Sequence, residues 1–309
     1  MRVLSHRRRD GGYVTVLVLT VAGLLAALVS ATLHVSRPSF GQAVINADEL
    51  QVNGLLEAGV AAVGYALFAG KTTIKDVDGQ ILPFETGAIR LSVKSEAGRI
   101  DLNGAHPKLL AGVYMLAGGG AMPPQTFAAR ILDWRDTDDK ARPGGGAERD
   151  EYQGLGLAYG PRNAPFQSVS DLRFLPGMTE EEADAMEPYL TVFNPDGLID
   201  PASADTPVLM AIPGMTPGQA TAIVEMARNP EASPQEFRQQ IRPFRTFLTP
   251  EAPEVYRVRV EARLTNGFAK SAEAVIMAGD REVPYRTLSW RDIPGALALP
   301  EQTPVTGAS

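Results

Sequence analysis

Cysteine is absent from this sequence, so disulfide bridges, thiolate catalysis and thiolate-ligated zinc are all excluded. Histidine is nearly absent. His6 lies in a basic leader, His34 at the end of an apolar run and His106 in an Ala-His-Pro segment, and no spacing draws them into a triad or a metal centre. An excess of positive charge is also missing. The net charge of -7 argues against a protein that grips nucleic acid by its phosphates. Aromatic residues make up 7% of the chain, and none cluster around the carboxylate-rich segments as a sugar-binding cleft would require. The glycine runs Ala117–Ala121 and Gly144–Gly146 are too short and misplaced to cradle nucleotide phosphates. These absences point away from the common hydrolytic and transfer chemistries, and no catalytic residue is assigned.

What is present begins at the N-terminus. Arg2, Arg7, Arg8 and Arg9 precede Asp10, Gly11 and Gly12, and no formally charged residue then occurs from Tyr13 to Ser36. As a helix rising ~1.5 Å per residue, that run measures roughly 36 Å, enough to cross a hydrocarbon core of ~30 Å. The arginines place the leading end in the cytoplasm and the bulk of the chain outside it. The run is too long for the apolar core of a secretory signal peptide, and Val35-Ser36-Arg37-Pro38 is a poor cleavage site. An uncleaved anchor is the plain alternative.

Past Pro38, apolar residues at Ala47, Leu50, Leu55, Gly59, Val60, Val63 and Leu67 predict a second, amphipathic helix ending at Gly70. Within residues 88–102, Ile89, Leu91 and Val93 alternate with Arg90, Ser92 and Lys94 as a half-buried strand should, and Ala97-Gly98 makes a turn. Two further alternating runs, Tyr256–Leu264 and Phe268–Met277, flank the turn signal Thr265-Asn266-Gly267. Between these β-patterns the chain is punctuated by proline and glycine, and helices are expected near 107–117, 124–135, 168–175, 179–189, 204–211, 216–228 and 233–240. The expected layout is a leader (1–12), a transmembrane helix (13–36), an α/β domain from 37–100 and 251–295, an inserted helical domain (101–250) and a flexible tail (296–309). The fold class is α+β: a long helix packed on an antiparallel sheet, carrying a large all-helical insertion.

Basic residues, Gly11-Gly12 and an aromatic residue opening a long apolar helix resemble a type IV prepilin leader. Further stretches resemble the K-type minor pseudopilins of type II secretion: Gly98–Asn103, Ile131–Asp139, Gly146–Glu148 with Tyr152, Pro161–Leu172, Pro188–Val192 and Pro284–Arg291. They fall in the family's order from the leader to about residue 292. One departure from pilins at large is Leu17, where the fifth residue of the mature chain is usually glutamate; the K type commonly lacks it. The resemblance implies cleavage between Gly12 and Tyr13 by a prepilin peptidase and methylation of the new N-terminus. It also implies a single-pass protein of the bacterial inner membrane whose bulk is periplasmic, placed at the pseudopilus tip for export of folded proteins. Implied partners are the I- and J-type minor pseudopilins, with the H-type and the major pseudopilin as further candidates.

Asp133, Asp136, Asp138 and Asp139, followed across a glycine-rich stretch by Glu148, Asp150 and Glu151, form the densest carboxylate group. Calcium takes six to eight hard oxygens and suits such a segment, although the spacing is not an EF-hand. Arg135, Lys140, Arg142 and Arg149 could instead pair with these acids in a solvated loop. The resemblance implies calcium here. Two pentapeptides, Leu175–Thr179 and Ile212–Thr216, repeat one pattern and are similar to helix-hairpin-helix DNA-binding turns. Thr179 and Thr216 stand where the motif places its second glycine, and they suit helix N-caps. Residues 101–250 carry 12 Lys and Arg against 20 Asp and Glu, the wrong sign for phosphate. A DNA-uptake or type IV minor pilin is the alternative these turns raise, and a membrane-anchored periplasmic binding protein is another. Trp134 and Trp290 are expected as core or turn anchors.

Overall fold

The computed structural model describes residues 47–70, 72–251 and 253–293. The leader, the cleavage position Gly12/Tyr13, the apolar segment 13–36 and the tail 296–309 lie outside the described residues.

Helix α1 (Ala47–Phe68) is long and apolar enough, by length and composition, to cross a membrane. One of its faces is already occupied. Val52, Leu55, Leu56, Val60 and Val63 recur at helical spacing and are buried against a sheet. At Gly59 an added Cβ would lie 2.6 Å from a methyl of Val260, so only glycine admits this close an approach of helix to sheet. Truncating a side chain as buried as Leu56 costs roughly 2–5 kcal/mol.

After a short helix α2 (Ile74–Val77), the sheet is built from β1 (Ile81–Phe84), β2 (Gly87–Ser95), β5 (Val255–Leu264), β6 (Ala269–Ala278) and β7 (Tyr285–Ile293), in that spatial order and all antiparallel. Ile89, Leu91 and Val93 stand opposite Ala262, Val260 and Val258, and this apolar register faces α1. The turn at 265–268 closes the β5–β6 hairpin. β2 and β5 are neighbours in space although residues 96–254 separate them in sequence, so everything between them leaves the sheet and returns to it.

That excursion forms a second hydrophobic core, from Ile100 to Leu248. Its elements are β3 (Ile100–Asp101), α3 (Pro107–Leu116), α4 (Pro124–Arg135), α5 (Arg149–Gly154), α6 (Glu180–Met186), β4 (Leu190–Thr191), α7 (Thr206–Met210), α8 (Pro217–Arg228) and α9 (Pro234–Ile241). α3, α4, α8 and α9 each open on proline, which pre-sets φ where a backbone donor would be orphaned anyway. Thr179 and Thr216 cap α6 and α8 by accepting from Glu182 N and Gln219 N. The glycines of the two repeated turns take φ values of +71° and +78°. β3 and β4 make a two-residue parallel ladder, and the buried Asp101 ties it down by accepting from the amides of Asn103, Gly104 and Asn194.

Several elements differ from expectation. The segment near 168–175 is a 3₁₀ stretch (Val169–Phe174), and the helix expected over 179–189 stops at Met186 before a 3₁₀ turn containing Pro188, which has no N–H to continue the ladder. α5 and the strands β1 and β7 were not anticipated, and the β3–β4 ladder corrects the expectation that the insertion is all-helical. β7 is an edge strand, exposed or half-buried along its whole length, so no alternation marks it in sequence. Trp290 lies on it and is 41% exposed, correcting its assignment as a core or turn anchor. Trp134 is buried, stacked on Phe166 at 5.4 Å between ring centroids.

A chain of ion pairs joins the two cores. Glu96, at the exit from β2, is fully buried and is gripped by Arg257 of β5 through Nε and through Nη2 at 3.1 Å. Thr191 of β4 donates its hydroxyl to the same carboxylate. Arg257 also pairs with Glu273 of β6. Glu273 accepts from Arg291 of β7 at 2.9 Å, and Arg291 reaches Glu187 of the helical region at 2.7 Å.

Candidate functional site

The carboxylate cluster is set up by the end of α4. Phe127, Ile131 and Trp134 bury one side of that helix, which places Asp133 on its last turn with no exposure to solvent. A carboxylate there faces the negative end of the helix dipole and is disfavoured unless a cation is near. Burial pushes the Asp133 carboxyl upward, and neighbouring Asp136 adds to this. Asp136 follows as the C-cap. The chain then loops through 137–147 and re-enters at Glu148, the N-cap of α5.

One oxygen from each of Asp136, Asp138 and Glu148 can be chosen so that all three lie within 4.8 Å of one another. Oxygens bound to one calcium at ~2.4 Å are at most about 4.8 Å apart, so the three can share an ion. Glu148 is 2% exposed, and neither of its carboxylate oxygens has a hydrogen-bond donor among the described residues. Burial, reinforced by Asp133, Asp136, Asp139 and Asp138, pushes its carboxyl up to about 7.

The local counter-ion is Arg142. It lies 3.1 Å from Asp133 Oδ1 through Nε and 2.6 Å from Asp136 Oδ2 through Nη2. The Asp133 contact is close but misaligned, leaving that oxygen without a hydrogen bond. One guanidinium serves two carboxylates and does not reach Glu148.

Of the seven acidic residues expected together, Asp133 abuts the trio of Asp136, Asp138 and Glu148. Asp139 lies 3.5 Å from the Asn163 amide. Asp150 and Glu151 do not join them. Both belong to the first turn of α5, where Glu151 accepts from the Glu148 amide at 2.9 Å as a helix-capping carboxylate. The spacing of acids in sequence cannot separate a ligand from a cap; the orphaned oxygens of Glu148 can. Hard carboxylate oxygens, one buried and unsatisfied, fit a hard divalent cation such as calcium.

The first of the repeated turns is poorly suited to an anion. It is backed by Arg130, whose guanidinium is taken up by the Pro176 carbonyl, and α6 behind it opens on Glu180, Glu181 and Glu182.

A long helix laid along an antiparallel sheet, with a mainly helical insertion between two sheet strands, defines an α+β protein of pilin-like architecture. Residues 105–195, within the insertion, match the family described as type II secretion system (T2SS), protein K. The chain is similar to the type II secretion system protein K of Pseudomonas aeruginosa strain PAO1, at 29% identity over 148 residues. That alignment covers 45% of this chain and 44% of the relative, so the match spans less than half the length of either. In fold, the chain is similar to one in the crystal structure of the GspK-GspI-GspJ complex from the enterotoxigenic Escherichia coli Type 2 Secretion System. The TM-score is 0.64 with 14% identity, over 83% of this chain and 99% of that one. The sequence likenesses, over residues 105–195 and over 148 residues, are both to protein K of type II secretion, and the structural likeness is one of fold.

Proposed function

We propose that this chain is a minor pseudopilin of a type II secretion system, a structural subunit that caps the pseudopilus tip with I- and J-type partners and starts its assembly. The observation that carries this reading is the fold likeness over 99% of a chain from a complex of those three components. In this reading the apolar run 13–36 is the membrane anchor, with the N-terminus cytoplasmic and residues from α1 onward periplasmic. A prepilin peptidase cuts between Gly12 and Tyr13, and Tyr13 becomes the methylated N-terminus. Leu17 leaves the subunit without the carboxylate that an incoming pilin offers its neighbour, which suits a cap. The helical insertion is too bulky to repeat within a thin filament, and one copy per fibre is expected. The H-type and the major pseudopilin lie below it.

Calcium is part of the same proposal. Asp136, Asp138 and Glu148, with Asp133 behind them, would hold it. Its charge would relieve the repulsion that Arg142 alone leaves, pinning the end of α4 to the start of α5.

Two measurements test the reading. Mass spectrometry of the protein from native membranes should find a chain beginning at N-methylated Tyr13, and one beginning at Met1 contradicts the pilin class. Gel filtration with light scattering should show the chain co-eluting with its I- and J-type partners and not polymerising alone. Homopolymers, or no co-elution, refute the tip role.

A further inference from the structure

The sheet has a second face, turned away from α1, whose charge is opposite in sign to that of the chain. Its centre is Glu261 on β5, nearly buried with a relative exposure of 6%. Arg259 and Arg263 flank it two residues away on the same strand and therefore on the same face. Arg90 stands directly across from it on β2. On the β6 side its neighbour is Ser271. Three arginines thus neighbour one glutamate on this face, their Cα positions about 5 Å away across the strands and about 7 Å away along β5. The closest ion pair, Arg259 to Glu261, measures 3.5 Å and makes no hydrogen bond. The Nε atoms of Arg90, Arg259 and Arg263 are shielded from solvent and donate to no acceptor among the described residues.

The other end of this face is different. There Lys94 pairs with Asp205, while Arg257 and Arg291 are consumed in the joint with the helical region. Glu273 stands across from Arg259 on this face, but Arg257 and Arg291 hold its carboxylate, so the excess of arginine over acid lies in the half near the β5–β6 turn. It is bordered by Ile81, 46% exposed, the cross-strand neighbour of Arg90.

We propose that this face, centred on Arg90, Arg259 and Arg263, is a docking surface for an acidic polypeptide segment that brings at least two carboxylates. Guanidinium groups pair with carboxylates bidentately, and the unmet charge calls for more than the single acid already present. Geometry favours a protein neighbour over a membrane. α1 runs antiparallel to β5, since Asp48 bonds Asn266 at 3.0 Å, Gly59 abuts Val260 and Phe68 packs on Tyr256. The sheet is therefore roughly parallel to the helix axis. With α1 continuing toward an anchor, as in the proposed function on which this point rests, the arginines lie at the anchor end of the sheet but the face stands side-on to the bilayer, toward a neighbouring subunit. Nucleic acid is disfavoured by Glu261 at the centre and by the net charge of -7.

The test uses the full-length chain in neutral detergent and a fluorescein-labelled hexaglutamate peptide, with binding read by fluorescence anisotropy. Saturable binding at low salt is expected, weakening at least tenfold in 0.5 M salt as exposed ion pairs are screened (Debye length ~3–4 Å there). Arg90→Gln, Arg259→Gln and Arg263→Gln together should weaken it about tenfold or more. Removing three exposed arginines elsewhere, with Arg238→Gln, Arg245→Gln and Arg281→Gln, should leave it unchanged. If circular dichroism shows that the first triple variant is misfolded, Arg259→Gln alone should still weaken binding by about threefold. No binding by the wild type, or equal loss in the control variant, overturns the proposal. So does tighter binding to phosphatidylglycerol vesicles that is lost in the same triple variant, which would make this a lipid site. The assay needs neither anchor nor partner subunits, so it can fail while co-elution with I- and J-type partners succeeds, and the reverse.

Discussion

Two groups of carboxylates in this molecule, each built around a buried acid, have opposite fates. In the joint between sheet and insertion, Glu96 and Glu273 are each met by guanidinium groups, and the chain of pairs runs unbroken from Glu96 to Glu187. In the loop after α4, Arg142 meets Asp133 and Asp136 but not Glu148, and Glu148, buried at the loop's exit, has no donor among the described residues. The first group is finished by the chain's own residues and acts as a structural joint. The second is left short of positive charge, which is the imbalance the proposed calcium would meet. Burial alone does not tell a structural carboxylate from a ligating one; the balance of partners does.

The comparison can be broken most forcefully at the joint. Glu96→Ala leaves Arg257 buried against Glu273 alone and should cost about 3–5 kcal/mol, read as a large fall in melting temperature. Replacing Glu96 and Arg257 together by Met should recover most of that loss, because no uncompensated charge is then buried. A double variant as unstable as the single would show that packing, not charge pairing, holds the joint.

The acidic loop should behave in the opposite way. Calcium in excess, at about 100 times its dissociation constant, should stabilise the wild type by roughly 2.7 kcal/mol. Asp136→Asn with Glu148→Gln should abolish that gain. In chelator, Glu148→Gln alone should be as stable as the wild type or more so, since it removes a buried unpaired charge. Indifference of the wild type to both calcium and chelator would place the loop with ordinary solvated acids.

Acid should loosen the joint in a measurable way. Burial opposes ionisation of Glu273, but Arg257 and Arg291 outweigh it and hold its carboxyl below the usual 4.5. A depressed carboxylate contributes stability that is present above 4.5 and is lost as pH falls through its folded value, with a slope of at most about 1.4 kcal/mol per pH unit. Glu273→Gln should flatten that limb of a stability–pH curve. The smallest effect is expected at the repeated turns, where Thr216→Ala removes the cap of α8 and should cost about 1 kcal/mol without altering calcium binding.

Much of the architecture was legible because it rests on local pattern. The apolar spacing of Leu55, Val60 and Val63 (though not Leu50, which is exposed), the alternation of β2, β5 and β6, the Asn266-Gly267 turn and the proline-opened helices each declare themselves within a dozen residues. The acidic cluster was visible as composition. Its division into the trio of Asp136, Asp138 and Glu148 and the capping Glu151 was not, because both roles use the same side chain at neighbouring positions. β7 escaped because an edge strand exposed on both faces carries no period.

By itself, the sequence determined the α+β class, the long helix and the helical insertion, since periodicity and turn chemistry act between near neighbours. Only the tertiary structure decided which charges are satisfied. Glu96 and Arg257 stand 161 residues apart, and Arg90 meets Glu261 only because β2 and β5 pair across the whole insertion. Coulomb pairing depends on distance in space, and strand pairing across a long excursion sets that distance without leaving a local trace.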